Sequence, residues 1–136
     1  MAIRNRLHRS ELAVPGSNLR MLEKAPTAGA DMVFLDLEDA VVAARKAVAR
    51  QNVADYLRQS AAGNGPCQSV WVRINALDTD AARHDLAAVI PAGPDGIMLP
   101  KAHSAQQVRT LAGIFLDRCP GFDGGLCAWF ISLPAE

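Results

Sequence analysis

Two acidic side chains, Asp36 and Glu38, follow an apolar run that begins at Met32. A buried parallel strand typically shows such a run, and α/β folds place their chemistry at the carboxyl ends of these strands. Carboxylates are costly there unless they are hydrogen-bonded, paired or bound to a cation. We therefore predict a functional role for Asp36 and Glu38, which could hold a divalent cation or its waters, since hard cations take oxygen ligands. The adjacent Asp39 is predicted to cap the next helix.

Basic and amide side chains occupy similar positions elsewhere in the chain. Arg73 ends another apolar run and offers a bidentate fork to a substrate carboxylate. For Lys101, a substrate contact and a plain ion pair with one of the acids are both open, and Asn75 either orients its loop or touches a ligand. Arg20 and Lys24 lie four residues apart on a predicted helix, where they could grip phosphates, although spacing alone favours a solvated face.

A regular alternation of short apolar runs and helical segments places these residues. The runs predicted as strands are Glu11–Val14, Met32–Leu37, Ser69–Ile74, Gly96–Leu99 and Leu126–Ser132. The predicted helices extend from Ser17 or Asn18 to Ala28, from Asp39 to about Arg58, from Thr79 to before Pro91, and from Ser104 to about Asp117. This alternation predicts βα units on a parallel sheet with right-handed crossovers.

The count of elements sets the fold prediction. Polar strand ends that converge on one face are typical of a (β/α)8 barrel, and no G-x-G-x-x-G motif follows the first strand to favour a nucleotide-binding sheet. Five strands and four helices make little more than half of a barrel, which takes about 250 residues. We predict an α/β fold, an incomplete TIM (β/α)8 barrel, in which residues 1–136 form one partial domain and the C-terminal half of the barrel is absent.

Composition excludes several classes of partner. Lysine plus arginine equal aspartate plus glutamate at 14 each, so no global field favours nucleic acid. No apolar run reaches membrane-spanning length and no signal peptide opens the chain, so no membrane partner is expected. The three cysteines, Cys67, Cys119 and Cys127, show no metal-ligand spacing and are predicted to be free thiols in a reducing cytoplasm.

Several motifs, in order and with the right spacing, resemble one family. They are Arg9–Ser17, Leu22–Ala25, Gly29–Asp31, Leu35–Val41, Lys46, Ala49–Arg50, Val72–Asn75 and Gly93–Lys101. This series is similar to the N-terminal portion of citrate lyase β-subunits and malyl-CoA lyases of the HpcH/HpaI aldolase superfamily. The resemblance covers nearly the whole chain up to Lys101 and is far more specific than any single motif.

The resemblance implies a Mg²⁺-dependent lyase that cleaves or forms a carbon–carbon bond next to a thioester. It implies an acyl-CoA or acyl-carrier thioester and a 2-oxo acid as partners, and an intact parent that is a homo-oligomer or a complex subunit. Arg73 matches the family's substrate-carboxylate arginine, and Asp36 and Glu38 match its acidic motif on the second strand. Arg20 and Lys24 match positions that hold the CoA phosphates, so the resemblance favours a phosphate contact over a merely solvent-exposed helix face.

The sequence departs from the family on the fifth strand. Ser132 stands where a metal-binding glutamate is expected, and a second metal carboxylate would lie beyond Glu136. We therefore expect the chain alone to be inactive. It is interpreted as a fragment of a CoA-ester lyase, with a non-catalytic acyl-CoA-binding or partner module and a class II pyruvate aldolase as alternatives. The motifs between Arg9 and Lys24 favour the first two, and citryl, malyl and methylmalyl thioesters all fit.

Overall fold

A computed structural model of the protein describes residues 8–60, 69–118 and 125–128. Five strands and four α-helices alternate along this part of the chain: β1 (Glu11–Pro15), α1 (Leu19–Lys24), β2 (Met32–Asp36), α2 (Lys46–Gln59), β3 (Ser69–Arg73), α3 (Asp80–Val89), β4 (Gly96–Leu99), α4 (Ala105–Arg118) and β5 (Gly125–Ala128). Short 3₁₀ turns follow α1, precede α2 and follow α3, at Ala25–Thr27, Ala43–Arg45 and Ile90–Ala92.

All five strands lie in one sheet in the order β1-β2-β3-β4-β5, and each neighbouring pair is parallel. Each strand therefore returns to the sheet through a helical crossover, as successive βα units of a barrel do. The predicted fold, an incomplete (β/α)8 barrel, is confirmed. Leu126–Ser132 was predicted as the fifth strand; the described strand ends at Ala128, and residues 129–132, with Ser132, lie outside the described residues.

The two faces of the sheet have different neighbours because strand side chains alternate. One face packs on the helices and forms the main core, which includes Val33, Leu35, Val72 and Ile97 from the sheet and Ala49, Val53, Leu57, Leu86 and Val89 from the helices. The other face carries a smaller apolar cluster of Met32, Phe34 and Met98, with Trp71 packed against it. In a closed barrel this second face is the interior.

The observed N-termini of the helices test the capping residues predicted from the sequence. Asn18 and Thr79 cap α1 and α3 as predicted, since their side chains accept hydrogen bonds from the amides of Met21 and Ala82. The prediction that Asp39 caps the second helix is wrong. A 3₁₀ turn intervenes, and α2 begins only at Lys46.

None of the helices in the described part of the chain is long and apolar enough to cross a membrane.

Candidate active site

Asp36 and Arg73 face each other at the carboxyl ends of β2 and β3, because the register of these two strands pairs them. Arg73 Nε donates to Asp36 Oδ1 at 2.9 Å, and Nη2 donates to Oδ2. The backbone amides of Glu38 and Ala40 donate to the same two oxygens, at 2.8 and 3.2 Å. Each carboxylate oxygen of Asp36 thus accepts two hydrogen bonds, which uses the full accepting capacity of the carboxylate.

This arrangement keeps both groups charged. Burial is the largest single influence on Asp36 and acts against its ionisation, but the hydrogen bonds from Arg73 and from the two backbone amides together hold its pKa below the ordinary value. The hydrogen bond to Asp36 likewise raises the pKa of Arg73. The pair is therefore a fixed ion pair over the physiological pH range.

Arg73 keeps one edge of its guanidinium available. Asp36 occupies the side formed by Nε and Nη2, whereas no described residue accepts a hydrogen bond from Nη1. The carbon of the guanidinium lies over the ring of Phe34, 5.4 Å from its centre, which is a cation–π distance. The end formed by Nη1 and Nη2 can bind a planar anion. Of the two sides of the guanidinium, Asp36 therefore occupies one and leaves the other for the carboxylate predicted from the sequence.

Glu38 lies between two cations. Its side chain is only 6% exposed, with Oε2 3.5 Å from Arg73 Nε and Oε1 2.8 Å from Lys101 Nζ. Among the described residues, the Lys101 ammonium is the contact of Oε1, and the Lys101 side chain is itself about half exposed. A buried carboxylate held by an exposed lysine can exchange that partner for a ligand.

Lys101 reaches Glu38 from an unusual backbone conformation. Its φ of 52° lies in the left-handed region, which costs a non-glycine residue about 1 kcal/mol or more and is enriched at functional sites. Nζ also lies 3.4 Å from Asp39 Oδ1. The contact with Glu38, followed by the charges of Glu38 and Asp39, raises the pKa of Lys101. The ion pair that the sequence left open is present in the structure, and a substrate contact for Lys101 stays a prediction.

Asn75, predicted as a possible substrate contact, makes its bonds within the fold. Its Oδ1 accepts from Lys46 Nζ at 2.7 Å, and its Nδ2 donates to Leu37 O at 2.9 Å and to Asp85 Oδ2 at 2.6 Å. Asp85 is fully buried and also accepts from Arg50 Nε. Lys46, Arg50, Asn75 and Asp85 form what we call the support network, and a role for Asn75 in binding substrate stays a prediction.

Arg20 and Lys24 lie apart from the other candidates. Both are exposed on α1, and none of the described residues forms a recorded hydrogen bond or ion pair with either side chain. The structure therefore brings Asp36, Glu38, Arg73 and Lys101 together, which we call the tip cluster, and leaves Arg20 and Lys24 on a separate helix surface.

The described residues do not make a complete magnesium site. Both oxygens of Asp36 are committed to hydrogen bonds, and the described part of the chain holds no group of three or more histidine, cysteine, aspartate or glutamate side chains arranged to bind a metal. Mg²⁺ needs near-octahedral oxygen ligands. Of the two carboxylates in the tip cluster, only that of Glu38 is not fully hydrogen-bonded, and one carboxylate is too few to hold Mg²⁺.

Sequence reasoning missed Asp85 and did not assign a role to Lys46 or Arg50. A signal existed for Asp85, because Ala82, Asp85, Leu86 and Val89 share the buried face of α3. An acid at a core position of an amphipathic helix must be paired. Lys46 and Arg50 are four residues apart on α2 and so lie on one face of it, but only the tertiary structure shows that this face meets Asn75 and Asp85.

Comparison with known families gives a match over residues 9–124, to the family described as HpcH/HpaI aldolase/citrate lyase. The citrate lyase β subunit of Leuconostoc mesenteroides subsp. cremoris is 39% identical over 112 residues, which cover 82% of this chain and 36% of that protein. A (3S)-malyl-CoA thioesterase of Cereibacter sphaeroides is 38% identical over 109 residues, covering 80% of this chain and 37% of its own length.

Solved structures give the same relationship. The citrate lyase β subunit of Mycobacterium tuberculosis complexed with oxaloacetate and magnesium is 32% identical, with a TM-score of 0.70 over 96% of this chain and 50% of that one. The CitE protein of M. tuberculosis with magnesium, acetoacetate and coenzyme A has a TM-score of 0.67 at 32% identity, over 91% of this chain and 41% of that one.

The chain thus spans between about a third and a half of the length of the relatives it matches. The family predicted from the motifs is confirmed, and magnesium is present in solved structures of its relatives. The protein belongs to the HpcH/HpaI aldolase/citrate lyase family.

Proposed function

We propose that this chain supplies the 2-oxo-acid-binding part of a CoA-ester carbon–carbon lyase of the citryl-CoA or malyl-CoA type. The observation that carries the proposal is the open end of the Arg73 guanidinium, which Asp36 holds at the strand ends beside Glu38. A rigid arginine of this kind binds a carboxylate with two parallel hydrogen bonds. Oxaloacetate, which is bound in the structure of the M. tuberculosis relative, carries such a group.

In the proposed cleavage, the carbon–carbon bond between the hydroxyl-bearing carbon and the carbon next to the thioester breaks. The hydroxyl proton leaves, and the hydroxyl-bearing carbon becomes the carbonyl of the 2-oxo acid. The bonding electron pair stays on the thioester fragment as an enolate, and a proton then converts the enolate to the acetyl thioester. Electrostatic stabilisation of that developing anion is the main task of such a site.

The tip cluster supports three roles in this step. Arg73 holds the carboxylate that remains on the 2-oxo acid. Glu38 Oε1, which contacts the half-exposed Lys101 ammonium, is the acceptor proposed for the substrate hydroxyl. Asp36 contacts Arg73 rather than open space, so its role is to orient the guanidinium. Lys101 adds positive charge near the reacting groups.

Two parts of the proposal rest on residues that the tip cluster does not contain. Arg20 and Lys24, exposed on α1, are proposed to contact the phosphates of the CoA portion. Because the described residues hold no complete metal site, the magnesium dependence of the parent enzyme would need carboxylates from the C-terminal half of the barrel. The same half is proposed to close the sheet in the intact, oligomeric parent.

The test is turnover of citryl-CoA and malyl-CoA with Mg²⁺, with oxaloacetate, glyoxylate and acetyl-CoA quantified by mass spectrometry. We expect no cleavage by the 136-residue chain. A chimera that carries Ser132→Glu and continues into the C-terminal part of the L. mesenteroides subunit should cleave one of the substrates, and Arg73→Lys in the chimera should abolish most of the activity. Chelator-sensitive turnover by the 136-residue chain, or full activity of the Arg73→Lys chimera, would contradict the proposal.

A second activity is favoured by the similarity to a (3S)-malyl-CoA thioesterase. A thioesterase would hydrolyse the thioester and release malate and the CoA thiol, leaving the carbon–carbon bond intact. A thiol reagent distinguishes the two reactions in the chimera, because lyase cleavage of malyl-CoA yields glyoxylate and acetyl-CoA without a free thiol.

A further inference from the structure

The ammonium group of Lys46 lies beneath the loop that carries Glu38. Its Nζ donates to Leu37 O at 2.8 Å, to Glu38 O at 2.9 Å and to Asn75 Oδ1 at 2.7 Å. An ammonium has three donors, so all of them are used. All three acceptors are neutral, and two of them are consecutive backbone carbonyls of one loop.

The support network fixes where that ammonium sits. Asn75 presents its oxygen to Lys46 because its nitrogen donates to Asp85, and Asp85 also accepts from the Asn75 backbone amide at 2.8 Å. Arg50 Nε closes the other side of Asp85 at 2.6 Å. Lys46 and Arg50 both belong to α2, so the loop is tied to this helix directly by Lys46 and indirectly through Asn75, which follows β3, and Asp85 on α3.

The position of the Glu38 carboxylate depends on its backbone more than on its own contacts. Glu38 Oε1 is 2.8 Å from the ammonium of Lys101, whose side chain is half exposed, and Oε2 is 3.5 Å from Arg73 Nε, so neither contact alone fixes the carboxylate. Both ends of the residue are held instead, because its amide donates to Asp36 Oδ1 and its carbonyl accepts from Lys46. Removal of one anchor would let the peptide rotate and turn the side chain away from the tip cluster.

We propose that Lys46 is a positioning residue, which sets the direction of the Glu38 carboxylate by holding the carbonyls of Leu37 and Glu38. The consequence for substrate rests on the proposed function, but the effect on the loop does not. Lysine suits the position because its flexible stem brings three donors to one point, whereas the planar fork of arginine would aim them in parallel.

The test is site-resolved amide hydrogen exchange, which needs no substrate. In Lys46→Met, exchange at Glu38 and Val41, whose amide donates to Glu38 O, should accelerate by about ten-fold or more relative to wild type, since local openings follow the hydrogen bonds that close them. Exchange at Val33 and Leu35 in β2 should change little. The matched control is Arg58→Met, which removes a cation from the same helix at an exposed ion pair with Asp55.

Chemical rescue distinguishes the loss of the Lys46 ammonium from the loss of side-chain packing at this position. In a background with the three native cysteines changed to serine, aminoethylation of a Lys46→Cys variant rebuilds an ammonium of nearly the same reach. Slow exchange at Glu38 and Val41 should return. Unchanged exchange in Lys46→Met, equal acceleration throughout β2, or failure of the rescue would each overturn the proposal.

The same samples distinguish this inference from the proposed function. If wild type fails to bind oxaloacetate while Lys46→Met still loosens the loop, the proposed function fails and the positioning role stands. If wild type binds oxaloacetate and Lys46→Met exchanges as wild type does, only the positioning role fails.

Discussion

Two buried aspartate–arginine pairs lie beside the loop that follows β2, and they differ in what they leave unused. Asp85 and Arg50 belong to the support network, where Asp85 is fully buried and its oxygens accept from Asn75 and Arg50. Asp36 and Arg73 belong to the tip cluster, where the carboxylate is equally committed but the guanidinium keeps an open end. The same two residue types therefore form a structural ion pair in the support network and a pair that can still bind an anion in the tip cluster.

The difference shows that burial of an ion pair does not by itself indicate function. Arg50 and Arg73 are similarly enclosed, with side chains 18% and 19% exposed. What separates them is the surroundings: a second acid that is not fully hydrogen-bonded, Glu38, and a lysine in a left-handed conformation lie beside Arg73 alone. Unused hydrogen-bonding capacity and backbone strain identify the site better than charge does.

The largest expected effect is on the support network. Asp85→Ala leaves Arg50 and the Asn75 amide without their acceptor, and loss of one partner of a buried ion pair costs about 3–5 kcal/mol. Urea unfolding measures the loss. Asp55→Ala, which removes an exposed pair with Arg58, is the matched control and should cost less than about 1 kcal/mol. Equal losses of unfolding free energy in the two variants would show that the buried pair stabilises the protein no more than the exposed one.

An intermediate loss of stability is expected from a substitution at Gly16, in the turn that follows β1. Gly16 donates its amide to Asp36 O at 2.9 Å, and a Cβ at this position would lie 2.8 Å from Val53 Cγ2 and 3.1 Å from Asp36 O. Gly16→Ala should therefore destabilise the protein by about 1–3 kcal/mol, as overpacking does.

Gly113 gives the matched control for Gly16. A Cβ at Gly113 would meet no atom within 4 Å, and the residue lies inside α4. Gly113→Ala should stabilise the protein by up to about 1 kcal/mol through helix propensity. A Gly16→Ala protein as stable as wild type would show that the turn after β1 is not closely packed against Val53 and Asp36.

The smallest effect concerns the exposed ion pair between Arg9 and Asp31. Arg9 Nε and Nη2 each donate to Asp31 at 3.0 Å, and hydrogen bonds from the Arg9 side chain are the main reason that the pKa of Asp31 falls to about 2. Because the folded-state pKa is depressed, this stabilisation is present above about pH 4 and is lost as the pH falls towards 2. The stability difference between wild type and Asp31→Asn should shrink over this range. A carboxyl resonance of Asp31 that titrates near pH 4 would contradict the contact.

The order of the strands and the place of the tip cluster could be predicted from the sequence. Apolar runs ending in Asp36, Arg73 and Lys101 indicate parallel strands whose polar ends converge, and the structure places these three residues together with Glu38. The sequence did not show that Asp36 pairs with Arg73. That contact depends on the register of β2 against β3, which links residues 37 positions apart.

The one wrong prediction is the Asp39 cap. Asp39 has good capping propensity, yet α2 starts seven residues later, at Lys46, where the Lys46 side chain holds the carbonyls of the preceding loop. The helix start thus coincides with tertiary hydrogen bonds that a local propensity does not include. The role of Asn75 was left open between orienting its loop and touching a ligand; its bond to Leu37 O, 38 positions away in the sequence, could not be read from a local pattern.

The central claim is that the open end of Arg73 binds the carboxylate of a 2-oxo acid. Calorimetric titration of oxaloacetate into wild type, Arg73→Lys and the matched surface variant Arg58→Lys tests it directly. A charge-assisted bidentate contact contributes about 1.5–3 kcal/mol, so Arg73→Lys should bind oxaloacetate at least about ten-fold more weakly, while Arg58→Lys binds as wild type does. Equal affinity of wild type and Arg73→Lys, or no binding by wild type, would contradict the account.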